Sequence, residues 1–63
     1  MENRVVVIKN GRVTLDEEYS TAEIAHNRYT ALVKSAKSCK LITDLYVVCR
    51  LQNDYPMAVE EII

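Results

Sequence analysis

The sequence predicts a small α+β domain of order ββαβα, with an N-terminal β-hairpin and a third strand packed against a central helix and a short C-terminal helix. Three observations carry that expectation. Two runs rich in β-branched residues flank Asn10-Gly11; a helical apolar period follows Ser20; and an alternating stretch precedes the punctuation at Asn53-Asp54-Tyr55-Pro56. The 63 residues make one domain, 1–63, with no linker, low-complexity tract or repeat evident in the sequence.

Asn-Gly accepts the two positive backbone angles of a type I′ turn, so residues 4–16 read as a two-residue hairpin. An unbroken ladder sets Lys9 opposite Arg12, Ile8 opposite Val13, Val7 opposite Thr14, Val6 opposite Leu15 and Val5 opposite Asp16. Arg4 then reaches Glu17. Val6, Ile8, Val13 and Leu15 share the face expected to be covered, and Val5, Val7 and Thr14 share the outer one.

Ser20-Thr-Ala-Glu23 has the spacing of a capping box. Ala22, Ala25, Tyr29, Leu32, Val33 and Ala36 fall within a sector of about 100° at 3.6 residues per turn, which predicts a helix over 21–37. Lys34 and Lys37, with Lys40 beyond, suit its negative end. Ile24 lies off the apolar face and is a candidate contact to a second chain.

From Leu41 to Leu51, alternation sets Leu41, Leu45, Val47, Cys49 and Leu51 on one face, with Thr43 interrupting, and Ile42, Asp44, Tyr46, Val48 and Arg50 on the other. The β-branched content favours a strand, although Leu41, Leu45, Val48 and Cys49 would also share a helical stripe. Asp54 as N-cap, with Pro56 in the first turn, predicts a helix over Met57–Ile63. Ile62 and Ile63 then dock on the sheet or on a partner.

The formal net charge is −1, grouped into a basic start, an acidic stretch after it, a basic middle and an acidic end. This argues against a dedicated cationic surface for nucleic acid. The apolar run Val5–Ile8 is too short for a secretory or membrane-spanning segment, and two cysteines make no disulfide framework, so a cytoplasmic, reduced protein is expected.

Chemistry has few footholds. His26, the single histidine, lies at the rim of the apolar sector, with no local motif to supply a nucleophile or an acid. Cys39 and Cys49 lack the Cys-x-x-Cys spacing of redox or zinc pairs. Asp16, Glu17, Glu18, Glu60 and Glu61 read as solvated charge rather than as an acid–base pair. No phosphate-binding glycine motif exists. No enzyme activity, cofactor or metal is expected.

The reading that remains is a non-catalytic interaction module, as a homodimer or larger oligomer with a regulatory, inhibitory or accessory role. A small domain with one helical layer leaves a sheet face to cover. The expected interface is Val5, Val7, Tyr46 and Val48, with Ile24, Ile62 and Ile63. The alternative is a dimeric nucleic-acid-binding regulator using Lys9 and Arg12 at the hairpin tip and Arg28, Lys34, Lys37 and Lys40.

Overall fold

The computed structural model describes residues 2–38 and 45–62. In chain order the elements are β1 (Asn3–Lys9), β2 (Arg12–Tyr19), α1 (Ala22–Ser38), β3 (Tyr46–Gln52) and β4 (Tyr55–Ile62). The strands form one sheet in the order β2-β1-β3-β4, with every neighbouring pair antiparallel. Among the described residues this is a small α+β domain with one helix on a four-stranded sheet.

The first hairpin turns where expected, with φ of 52° at Asn10 and 78° at Gly11. Lys9 faces Arg12 and Ile8 faces Val13, but the register then shifts. Thr14 is an extra residue on β2, and its hydroxyl donates to the Val7 carbonyl at 3.3 Å. Beyond this bulge Val7 faces Leu15, Val6 faces Asp16, Val5 faces Glu17 and Arg4 faces Glu18. The extra residue moves Leu15 to the face opposite Val13. Arg4 binds Asp16 through one edge of its guanidinium, Nε and a terminal nitrogen, instead of Glu17.

The expected terminal helix is a strand. Asn53 and Asp54 both adopt positive φ, 50° and 64°, so they form a second two-residue turn rather than a cap. Gln52 faces Tyr55 and Leu51 faces Pro56; after Met57 is skipped, Arg50 faces Ala58 and Cys49 faces Val59. A seven-residue helix would be marginal, whereas pairing with β3 satisfies the same backbone. Pro56 is tolerated because β4 is an edge and its ring nitrogen occupies a site that makes no ladder bond.

The helix runs close to its expected limits, but its cap is Thr21 and not Ser20: Ile24 donates its amide to the Thr21 hydroxyl at 3.1 Å. Ala25 and Ala36 are buried, and Tyr29, Leu32 and Val33 pack beside them on Val5, Val7, Val48 and Ile62. Leu15, Tyr19 and Tyr46 complete this cluster. The small alanines let the helix lie close over the central strands.

The covered face is therefore the reverse of the expected one. Val5 and Val48 are fully buried and Val7 is nearly so; they lie under α1, so they do not form an outer interface. Val6, Ile8, Val13, Val47, Cys49 and Leu51 alternate with them and face away from the helix. Both faces of β1 and β3 are apolar, so alternation does not say which one the helix takes. That choice is made by the β2–α1–β3 connection, a parallel crossover passing over β1.

The two hairpins repeat each other in structure, though the sequence does not announce it. Each has a two-residue turn opening on Asn, then two paired positions, then a bulge on its second strand. Each turn asparagine also clips the start of the other hairpin. Asn10 donates its amide to the Leu45 carbonyl at 2.9 Å, and its Oδ1 accepts from the Leu45 amide at 3.2 Å. Asn53 does the same with Glu2, both at 2.9 Å. An approximate two-fold axis thus crosses the sheet at the Val6–Cys49 pair.

Candidate interaction surface

The feature that stands out is the sheet face that α1 leaves uncovered. Strand alternation and register arrange it as three rows across β2, β1, β3 and β4. The first row reads Val13, Ile8, Val47, Glu61. The second reads Asp16, Val6, Cys49, Val59, and the third Glu18, Arg4, Leu51, Pro56. An uninterrupted apolar band runs diagonally from Val13 to Pro56, with Glu61 at one corner and Arg4, Asp16 and Glu18 at the opposite one.

Exposure follows position in the sheet. Val6, hemmed in by neighbouring strands, is 8% exposed, while Val13 and Val59 on the edge strands are 56% and 54% exposed. Tyr55 and Met57 add exposed apolar surface at the second hairpin tip. Contiguous patches of this kind are uncommon on proteins that act alone.

The charged corner is built from local pairings. Arg4 donates from Nε to Asp16 Oδ1 at 3.1 Å and from a terminal nitrogen to Oδ2. The carboxylate beside it holds the guanidinium pKa still further above its ordinary range. Asp54 adds a weaker contact to Arg4 at 3.9 Å.

Of the expected interface residues, Val5, Val7, Val48 and Ile62 lie in the core, and Tyr46 packs against it. Ile24 is exposed on the helix, in the other layer. Ile63 lies outside the described residues. None of the described ones belongs to the open face. What separates the open face from the covered one is the crossover of α1 over β1, which no residue pattern in the hairpin reveals.

The basic residues are spread out. Lys9 and Arg12, with Asn10 and Thr14, line a shallow recess of about 420 Å³ at the first hairpin tip. Arg28 pairs with Glu17 at 3.8 Å and Lys37 with Glu60 at 2.9 Å, so two helix cations meet acids of the two edge strands. Lys34 is exposed on the helix, and Lys40 lies outside the described residues.

His26 is exposed, its ring stacked near Tyr29 at 6.3 Å between centroids. Cys49 is a free, half-buried thiol whose pKa is raised by burial, the opposite of what a thiolate nucleophile needs. Cys39 lies outside the described residues. Among the described residues, no three His, Cys, Asp or Glu side chains converge to hold a metal ion. No helix among them is long and apolar enough to cross a membrane. Comparison with family models, curated proteins and solved structures gives no match to this chain.

Proposed function

We propose that the protein is a non-catalytic association module whose working surface is the open sheet face. The observation that carries this reading is the apolar band from Val13 through Val6, Cys49 and Leu51 to Pro56, which no element among the described residues covers. A sheet with one apolar face bare is half of a layered core, and a protein surface is the natural second half. A regulatory, inhibitory or accessory role is the kind of work such a face would do.

The test is the native mass of the chain in extracts of its own cells, compared with the Val59→Lys variant. Val59 is half-exposed on an edge strand, so a lysine there leaves the fold intact while interrupting the band. Wild type eluting above 7.2 kDa, with the variant shifted toward the monomer, supports the reading. Wild type eluting as a monomer overturns it.

Nucleic-acid binding is the second reading, favoured by the recess between Lys9 and Arg12. With Arg28 and Lys37 paired to glutamates, this reading rests mainly on the hairpin tip. Binding to duplex or single-stranded oligonucleotides that weakens steeply with salt, and is lost in Lys9→Glu/Arg12→Glu, would select it. Salt-independent or absent binding rejects it.

A further inference from the structure

The kind of partner that fits the open face can be specified further, and this step rests on the association reading above. We propose that the face receives an amphipathic α-helix of a partner protein, laid along the band from Val13 to Pro56, with a lysine or arginine on each flank.

Charge placement carries the choice of partner. The approximate two-fold that relates the hairpins also relates Glu17-Glu18 on β2 to Glu60-Glu61 on β4. One acid of each pair points to the covered face and takes a cation from α1: Glu17 meets Arg28 and Glu60 meets Lys37. The other acid, Glu18 or Glu61, points to the open face, where no cation among the described residues pairs with it. Arg4 lies opposite Glu18 but gives its hydrogen bonds to Asp16. The sheet thus holds one helix by acids on its edge strands, and presents the neighbouring acids on the face without a helix.

Geometry selects the direction. A uniformly twisted sheet offers the same surface on both faces, related by a half-turn about the central strand direction. α1 crosses its own face diagonally, from Glu17 on β2 to Glu60 on β4. The half-turn carries that path onto the other diagonal of the open face, from Val13 to Pro56, which is the apolar one. With strands about 4.8 Å apart and roughly 3.3 Å per residue, each diagonal is about 20 Å long. That is the length of about 13 helical residues. Glu18 and Glu61 then stand roughly 10 Å to either side of the helix axis, within reach of an extended lysine or arginine on its flank.

A second copy of the chain is a poorer occupant. Laid face to face about the band, it would set Glu18 against Glu61 and Asp16 against Ile8. An acidic helix would likewise bring like charges together at both glutamates.

Fluorescence anisotropy with two labelled synthetic helical peptides of about 14 residues tests this. One carries a leucine face flanked on both sides by lysines; in the other, glutamates replace the lysines. The lysine peptide should bind the purified chain, and the glutamate peptide should bind at least about tenfold more weakly. Leu51→Lys and Val59→Lys should each weaken the lysine peptide about tenfold, with unchanged far-ultraviolet circular dichroism. Glu18→Lys/Glu61→Lys should reverse the preference between the peptides, and Ile24→Lys should bind as wild type. Absence of lysine-peptide binding, equal binding of the two peptides, or an unreversed preference in the double variant overturns the basic helix as occupant. Binding lost in Ile24→Lys and kept in Val59→Lys overturns it too, by placing the contact on α1. If the lysine peptide fails while the mass in extracts still exceeds the monomer and falls in Val59→Lys, the association reading stands with another occupant; if neither result is obtained, both fall.

Discussion

Asn10 and Asn53 do two jobs each. They adopt a left-handed backbone that most residues resist, and their side chains close a bond to the opposite hairpin. Replacing either by alanine loses both contributions, so Asn10→Ala and Asn53→Ala should each cost about 1–2 kcal/mol in urea unfolding. Asp54 holds φ of 64° with no comparable clip. Asp54→Gly relieves that strain and should stabilise the protein by roughly 0.5–1 kcal/mol. Tyr29 and Cys49 provide a pH signature. Burial raises both pKa values, so the unfolded chain gives up these protons first as pH rises. Their contribution is complete below the unfolded values, about 8.5 for the thiol and 10 for the phenol, and is lost as pH climbs through the higher folded ones. Stability measured by thermal melts should fall in the alkaline range, and less steeply in Tyr29→Phe.

At the scale of elements, the first hairpin and α1 were legible because their signals are local. Asn10-Gly11 dictates a turn, and the Ala22-to-Ala36 period dictates a helix. Cap identity was ambiguous, since Ser20 and Thr21 are both good caps, and only the Ile24 amide bond distinguishes them. Thr21→Ala should therefore cost about 1 kcal/mol by chemical denaturation, against a few tenths for Ser20→Ala. Two features were not legible. A one-residue bulge leaves no mark in composition, so the shift at Thr14 and its effect on Leu15 escape pattern reading. Asp54-Tyr55-Pro56 suits a helix start and an edge-strand turn equally well, and pairing with β3 decides between them. Deleting Thr14 tests the bulge: the ladder becomes regular with Val13 still opposite Ile8 and Leu15 still opposite Val7, so Leu15 stays in the core cluster and stability in urea should change by less than about 1 kcal/mol.

For the whole molecule, the consequential question is which sheet face the helix covers. Alternation correctly sorts β1 and β3 into two sets, Val5, Val7, Tyr46 and Val48 against Val6, Ile8, Val47, Cys49 and Leu51. It is silent on which set is inside, because each is apolar enough to be a core. The surface expected from the sequence was therefore drawn on the set that the helix covers. The near-two-fold arrangement of the hairpins explains how a short chain holds this shape. Asn10 and Asn53 tie the hairpins end to end, and Arg28–Glu17 and Lys37–Glu60 fasten the helix over both edge strands. The exposed ion pairs add little individually; most of the stability comes from the apolar cluster under the helix.

The most direct measurement is urea unfolding of Val47→Lys and Val48→Lys side by side, at concentrations where wild type is monomeric. These neighbours point to opposite faces of β3. With α1 over Val48, a lysine there must bury an unpaired charge, and the chain should be unfolded without denaturant. Val47→Lys should remain folded, within about 1 kcal/mol of wild type, because its face is open. A folded Val48→Lys beside an unfolded Val47→Lys would show the helix on the other face, and would contradict both the fold assignment and the interface drawn from it.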